Sequence, residues 1–300
     1  MSYIEHFGLE REPFSNAPEA RFYFNSEQHS QALLRLMYAV DSNKGLAVLV
    51  GGVGTGKTTL ARRMLDSLPE QKYESSLLVM VHSGITPEWI LTRIAMQLGV
   101  PNPATTRLEL LKQLYERLLE IDASGRRAVV LIDEAQMLYS RELMEEFRGL
   151  LNLEIPGKKL LNIVFFGLPE VEECLVLDEP LAQRVAVKCH LKSLTPDITA
   201  SYIKHRLLVA GAKRMLFSAN SVSLIHGFTG GVPRLINTVC DNCLFESFLR
   251  KQNAVDDSIV HSVAGDLGLH VQAPGSRVGS DDRSDLDEIE SMLDRLEQRF

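Results

Sequence analysis

Short apolar runs alternate with amphipathic stretches along the first two thirds of the chain. The apolar runs are five to seven residues long and fall at 45–50, 77–81, 128–132, 162–166 and 185–191. Between them, apolar side chains recur every three or four residues, which is typical of helices that bury one face. Strands that alternate with helices predict an α/β fold, in which helices cover both faces of a mostly parallel sheet.

The pattern changes after residue 191, where helical stretches follow one another directly. They lie at 195–211, 218–226, 233–251 and 256–264. These stretches predict a small all-helical lid domain behind the sheet. We therefore expect an α/β domain over 1–193, a helical lid domain over 194–264, a flexible linker over 265–284 and an amphipathic acidic helix over 285–300.

Most of the net negative charge lies at the C-terminal end. The chain has a net charge of −7, and residues 281–300 hold eight acids against three arginines. The remainder is close to neutral, so it has no overall basic field and nucleic acid is not the favoured partner. A ring of subunits could still line its pore with lysines such as Lys158 and Lys159. The helix expected at 285–300 either packs on the chain itself or binds a protein partner, and its pattern does not decide between the two.

Composition excludes several classes of protein. Hydrophobic residues make up 45% of the chain and charged residues 24%, which is typical of a globular protein and not of a disordered one. No apolar run reaches the roughly 18 residues that cross a bilayer, and the N-terminus lacks the pattern of a secretory signal. We therefore expect no transmembrane segment and a cytoplasmic location, with recruitment to the inner membrane by a partner as an alternative.

A glycine-rich motif carries the chemistry. Residues 51–58 read Gly-Gly-Val-Gly-Thr-Gly-Lys-Thr and match the phosphate-binding pattern G-x-x-x-x-G-K-[ST], in its required place between a predicted strand and a helix. The glycines let backbone N–H groups converge on phosphate oxygens, and the helix N-terminus adds partial positive charge. The predicted nucleotide-binding residues are Gly51, Gly52, Val53, Gly54, Thr55, Gly56, Lys57, Thr58 and Thr59.

Two acidic residues complete the predicted site. Lys57 would reach the β- and γ-phosphates of ATP, and the Thr58 hydroxyl would ligate Mg²⁺. Asp133 and Glu134 directly follow the apolar run at 128–132, which we expect to be a strand neighbouring the one before the motif. We expect Asp133 to hold the Mg²⁺ and Glu134 to act as the general base that polarises the attacking water. The sequence thus predicts an ATPase with ATP and Mg²⁺ as its cofactors.

Two arginines are candidates for contact with the γ-phosphate. Arg234 would lie in the first turn of a helix that begins at Pro233, and we expect it to reach the nucleotide of its own subunit. Arg184 precedes the last strand, and we expect it to serve the nucleotide of a neighbouring subunit, which implies a homo-oligomer. An arginine in this role accelerates hydrolysis by about 10³–10⁵-fold. A surface salt bridge is the structural alternative for each arginine.

With these residues in place, the chain resembles the AAA+ ATPases of the general secretion pathway protein A (ExeA-like) family. The resemblance covers residues 1–264 and rests on YIEHFGL at 3–9, Pro13-Phe14, the phosphate-binding loop, DEAQ at 133–136, GLPE at 167–170, Gln183-Arg184 and GVPRLIN at 231–237. It implies ATP hydrolysis that drives or switches assembly of a cell-envelope machine for secretion, pili or exopolysaccharide. It also implies that the aromatic segment 7–24 packs near adenine; covering the sheet edge is the alternative.

The chain departs from the family pattern in three respects. The family usually has Glu where Gly52 stands and Gln where Leu168 stands. A polar side chain after the fourth strand can orient the lytic water, and Leu cannot, so we expect good ATP binding with slow turnover. No membrane helix follows residue 264, and we expect a partner of the tail to replace that anchor. A DNA-binding AAA+ regulator of the transposition type and an ATP-gated scaffold with little hydrolysis remain as alternatives.

Overall fold

The computed structural model describes residues 2–17, 19–82 and 84–271. Its strands are β1 (Leu46–Gly51), β2 (Tyr73–Val79), β3 (Arg127–Asp133), β4 (Glu154–Ile155), β5 (Lys158–Lys159), β6 (Leu161–Gly167) and β7 (Val185–Leu191). Five of them form a parallel sheet in the order β2-β3-β6-β1-β7, while β4 and β5 pair as an antiparallel hairpin. The predicted parallel sheet is confirmed.

Helices cover both faces of this sheet. The α-helices of the described residues, which include those that follow the sheet, are α1 (Tyr3–Phe7), α2 (Glu27–Asp41), α3 (Lys57–Asp66), α4 (Pro87–Gln97), α5 (Arg107–Ala123), α6 (Arg141–Leu150), α7 (Glu170–Val176), α8 (Glu179–Ala182), α9 (Pro196–Val209), α10 (Ala219–Thr229), α11 (Pro233–Leu249) and α12 (Asp257–Asp266). Alternate residues of β1 point to opposite faces, as the period of a strand requires. Val48 packs with residues of α4, α5 and α6, whereas Leu49 packs with residues of α2 and α3.

The predicted and observed elements differ in two places. The apolar pattern predicts a strand at 77–81, but β2 begins earlier, at Tyr73, and pairs with β3 along its whole length. Polar residues such as Ser75 interrupt the pattern there, and an edge strand tolerates them because one of its sides has no neighbour. The β4–β5 hairpin and the short helices α1, α7 and α8 are not predicted, since elements this short carry no clear period.

The helices that follow the sheet form a second core. Apolar residues of α9–α12 pack together, among them Ile203, Ile236 and Ile259, all fully buried. The N-terminal aromatic residues Phe7 and Phe14 belong to this core and not to the sheet edge. The beginning of the chain is therefore held by α9–α12, which we call the C-terminal helices.

No helix among the described residues is both long and apolar enough to cross a membrane. The predicted acidic helix at 285–300 lies outside the described residues, as does most of the predicted linker at 265–284. The first two residues of that predicted linker are still helical, because α12 extends to Asp266.

Candidate functional site

The predicted phosphate-binding loop joins β1 to α3 at the carboxyl edge of the sheet. Gly54 has a φ of 74° and Gly56 a φ of 102°, a left-handed conformation that disfavours any residue with a Cβ. A Cβ on Gly54 would lie 2.8 Å from the Cβ of Arg234. The sequence pattern of glycines is thus required both by the backbone turn and by the close approach of α11.

Lys57 is the first residue of α3 and points back into the loop. Its Nζ donates a hydrogen bond to the carbonyl of Gly52 at 2.9 Å, and the side chain is 6% exposed. Burial lowers the pKa of the Lys57 ammonium, while the carboxylates of Glu134 and Asp133 raise it. The cation therefore lies inside the loop with two acidic groups nearby.

The sequence predicted that the strand carrying Asp133 and Glu134 is a neighbour of β1, but in the structure this strand, β3, is not adjacent to β1. In the observed order, β6 lies between β1 and β3. The expectation of a neighbouring strand was wrong because strand order is set by long-range pairing that no local pattern encodes. All three strands are parallel, so their carboxyl ends still meet at one edge.

Asp133 ends β3 and is fully buried. Its Oδ1 accepts a hydrogen bond from the backbone N–H of Glu134 at 3.0 Å, while Oδ2 has no hydrogen-bond partner among the described residues. Burial raises the pKa of the Asp133 carboxyl, and hydrogen bonds from the Thr58 side chain and the Glu134 backbone lower it. An unpartnered buried carboxylate oxygen beside a hydroxyl is a donor set that suits a hard cation such as Mg²⁺.

Glu134 occupies a strained backbone position directly after Asp133. Its φ of 56° lies in the left-handed region, which costs a residue with a Cβ about 1–3 kcal/mol. Its Oε2 accepts a hydrogen bond from Nε2 of Gln136 at 2.6 Å. In this position Glu134 lines the same cleft as Lys57.

The cleft has a volume of about 260 Å³ and lies between the edge of the sheet and the C-terminal helices. The loop from Val53 to Thr59 forms one wall, together with Glu134 and Leu168. The facing wall comes from the N-terminal segment and from α9 and α11, and it includes Asn16, Phe22, Tyr23, Phe24, Tyr202, Arg206, Arg234 and Asn237. The structure thus brings most of the predicted site residues to one cavity.

The two predicted arginines lie in different places. Arg234 lines the cleft from the first turn of α11, and its backbone N–H donates to the carbonyl of Gly54 at 3.3 Å. Arg184 precedes β7 and therefore lies at the amino edge of the sheet, opposite the cleft. Its Nη1 donates to Oδ1 of Asn152 at 2.5 Å and to the carbonyl of Arg148 at 3.4 Å. Neither contact is a salt bridge, and the side chain does not reach the cleft of its own subunit.

A buried arginine that sequence reasoning missed holds the far wall of the cleft. Arg206 is 6% exposed and donates to the carbonyls of Pro13 at 2.5 Å and Ser15 at 2.8 Å. Its guanidinium also lies 4.5 Å from the ring centre of Phe22, a cation–π distance. A signal was present in the sequence, since Arg206 falls between apolar residues on the buried face of α9.

A buried histidine that lines the cleft beside the phosphate-binding loop was also missed. His29 is 7% exposed, its Nδ1 lies 2.6 Å from Oγ of Ser26, and a Cβ on Gly56 would lie 3.0 Å from its Nε2. Burial lowers the pKa of His29, while the backbone carbonyl of Thr55 raises it. The neutral ring packs directly against the turn that precedes Lys57.

Comparison with known proteins agrees with this geometry. The AAA domain family matches residues 40–175. General secretion pathway protein A of Aeromonas hydrophila is 37% identical over 270 residues, which are 89% of this chain and 47% of that protein. The chain therefore spans about half the length of this relative.

Two solved structures illustrate the similar fold. The ORC2 protein of Aeropyrum pernix, in ADPNP and ADP complexes, has a TM-score of 0.62 at 15% identity over 88% of this chain and 73% of its own. Cdc6p of Pyrobaculum aerophilum has a TM-score of 0.65 at 19% identity over 85% of this chain and 70% of its own. At such identities the likeness shows the fold alone. The chain therefore has an AAA+ fold with an AAA domain over residues 40–175, and over most of its length its sequence is similar to general secretion pathway protein A.

Proposed function

We propose that the chain binds ATP with Mg²⁺, hydrolyses the ATP, and uses it to drive or switch the assembly of a cell-envelope machine. One observation carries the proposal. The phosphate-binding loop, Glu134 and Arg234 line a single cleft, and Asp133 lies beside Thr58 at the same edge of the sheet. These are the groups that hydrolysis of a nucleoside triphosphate requires in one place.

Each group has a distinct role in this proposal. The backbone of residues 51–59 would surround the phosphates, with Lys57 as the cation at the β- and γ-phosphates. Thr58 and the unpartnered Oδ2 of Asp133 would hold Mg²⁺, which neutralises charge on the phosphate oxygens when it is bound. Glu134 would accept the proton of the attacking water.

The facing wall of the cleft has aromatic residues that suit the purine ring of ATP. It also carries Arg234, through which bound nucleotide would act on α11. Phe22, Tyr23 and Phe24 line the end of the cleft formed by the N-terminal segment, and aromatic faces pack well against a purine. Arg234 would contact the γ-phosphate from α11. Since α11 also contacts the loop at Gly54, occupancy of the cleft would act on the position of the C-terminal helices.

Completion of the site by a second subunit is part of the proposal. Arg184 lies on the surface opposite the cleft of its own chain, so any contact with ATP would be made in a neighbouring copy. A head-to-tail arrangement of copies would place the amino edge of one sheet near the cleft of the next. ATP bound to one subunit would then contact Arg184 of the next subunit and so form part of the interface between them.

The pathway is inferred from the relative's name and remains a proposal, because the chain spans about half of that protein. Residues 285–300 are the proposed contact with a protein partner, and recruitment by that partner would bring the chain to the inner membrane. A DNA-binding role has weaker support. Lys158 pairs with Asp122, and Lys159 bonds the carbonyl of Leu151, so both lysines have partners within the chain.

Calorimetry and phosphate release together test the proposal. Native chain should bind ATP with Mg²⁺ and release phosphate, Lys57→Ala should lose binding, and Glu134→Gln should bind but release phosphate at least about 10²-fold more slowly. Binding without release in both native chain and Glu134→Gln would favour the scaffold alternative. Absence of heat with purine triphosphates and folded protein would reject the proposal. Salt-sensitive retention of DNA in the presence of ATP would favour the DNA-binding alternative.

A further inference from the structure

The side chain of Gln136 bridges two parts of the cleft wall. Its Nε2 donates to Oε2 of Glu134 at 2.6 Å, and its Oε1 accepts from the backbone N–H of Leu168 at 3.1 Å. A carboxylate can only accept and a backbone N–H can only donate, so these two partners fix the orientation of the amide. Gln136 thereby connects the residue that follows β3 to the residue that follows β6.

Space for this bridge is built into the neighbouring strand. A Cβ on Gly167, the last residue of β6, would lie 2.2 Å from Cγ2 of Val171 and 2.8 Å from Oε1 of Gln136. A side chain at position 167 would therefore clash with Val171 and also with the Gln136 amide that bonds Leu168. The packing of β6 and the position of Gln136 depend on each other.

The bridge also fixes a residue whose backbone is strained. Glu134 has a left-handed φ of 56°, and such a conformation persists only where surrounding contacts determine it. The hydrogen bond from Gln136 restrains the end of the side chain, and the bond from its backbone N–H to Asp133 restrains the start. Held at both ends, the Glu134 carboxylate lies at the wall of the cleft instead of turning to solvent.

We propose that Gln136 is a positioning residue for hydrolysis: it holds the Glu134 carboxylate toward the cleft and ties its orientation to the end of β6. This inference rests on the proposed function, because it acts through Glu134 as the general base.

Two substitutions separate positioning from packing. Gln136→Glu keeps the shape and the acceptor for Leu168 but replaces the donor to Glu134 with a second carboxylate, and Gln136→Met keeps the length without either bond. Both should lower kcat by about tenfold or more, since the base no longer has a fixed orientation. The KM for ATP and the Kd for a slowly hydrolysed ATP analogue should stay within about twofold of native.

Gln31→Glu is the matched control. Gln31 also donates to a glutamate, Oε1 of Glu27 at 3.0 Å, but on the exposed surface of α2. This variant should keep the native kcat, and thermal melting should show that all variants are folded.

The outcomes distinguish this inference from the proposed function. Native kcat in Gln136→Glu, together with loss of activity in Glu134→Gln, would reject the positioning role and leave the proposed function intact. A parallel fall of kcat, analogue binding and melting temperature would show a structural role and also reject it. Native hydrolysis in Glu134→Gln would reject the general base and the positioning residue together.

Discussion

The backbone N–H of Arg234 donates to the carbonyl of Gly54 at 3.3 Å, so α11 begins on the phosphate-binding loop itself. Strands β2 to β7 lie between the two residues in the sequence, yet their close approach leaves no room for a Cβ on Gly54. A movement of the loop on nucleotide binding would therefore shift the beginning of α11. This contact joins the phosphate-binding loop directly to the C-terminal helices.

Gly54→Ala should weaken ATP binding by about tenfold or more. The new Cβ would lie 2.8 Å from the Cβ of Arg234, and a φ of 74° is unfavourable for alanine. Strain of about 1–3 kcal/mol must be relieved by movement of the loop or of α11, and 1.4 kcal/mol corresponds to a tenfold change in Kd. Titration calorimetry with ATP and Mg²⁺ measures the effect.

Gly52→Ala is the matched control in the same loop. A Cβ at position 52 would meet only the Cγ2 of Thr55 at 3.7 Å, an ordinary contact. We expect this variant to bind ATP within about threefold of native. Equal losses in both variants would show that the loop tolerates no side chain at either place, and that the contact with Arg234 has no special part.

Arg184→Ala should leave ATP binding unchanged and remove the increase of turnover per subunit with protein concentration. The side chain lies away from its own cleft, so its loss affects hydrolysis only where copies associate. Loss of an arginine at the γ-phosphate lowers the rate by about 10³–10⁵-fold in the associated state. Phosphate release over a range of protein concentrations, with particle mass measured in parallel, tests this.

Asn152→Ala is the control for the local contact of Arg184. It removes the hydrogen-bond acceptor at 2.5 Å but keeps the guanidinium. This variant should retain the concentration-dependent stimulation. If Arg184→Ala at high concentration hydrolyses ATP like the native chain, Arg184 has no role in a neighbouring cleft.

The parts of the site that the sequence predicted are those encoded locally. The phosphate-binding loop is eight consecutive residues, and Asp133 and Glu134 directly follow an apolar run. A motif of consecutive residues can be read from the sequence without knowledge of long-range contacts. The same holds for the alternation of strands and helices, from which the parallel sheet was predicted.

The parts that were missed depend on contacts between distant residues. Arg206 bonds the carbonyl of Pro13, 193 positions away, and no periodic pattern links the two. The position of β6 between β1 and β3 is likewise a matter of pairing over long distances. Gln136 lies within the DEAQ motif, but the contact on which its proposed role rests depends on β6, which places Leu168 beside it.

Leu168→Gln should raise kcat by severalfold, on the order of 3–10-fold, with little change in the Kd for ATP. Leu168 lines the cleft, and an amide there can hydrogen-bond the attacking water, which the native side chain cannot do. Leu168→Met, which changes shape without adding a polar group, should keep the native rate. Phosphate release at saturating ATP measures both, and a slower Leu168→Gln would show that the native Leu favours turnover.

The chain should lose stability as the pH falls below the ordinary histidine pKa of about 6.5, and His29 should account for part of the loss. Burial lowers the pKa of His29 in the folded chain. At a pH between the folded and the unfolded pKa, His29 is therefore mostly protonated in the unfolded chain and mostly neutral in the folded chain. The free energy of unfolding is therefore undiminished above about pH 6.5 and decreases as the pH falls toward the lower folded value. His205 and His226 act in the same direction, because burial lowers their pKa values as well.

Urea unfolding at pH 8 and pH 5.5 measures this difference in stability. His29→Gln cannot be protonated and should show a smaller loss between the two pH values than the native chain. His226→Gln, at a less buried position, should reduce the loss to a lesser degree, since burial is the cause of both shifts. An equal loss in His29→Gln and native chain would mean that the His29 ring is protonated in the folded protein as readily as in the unfolded one.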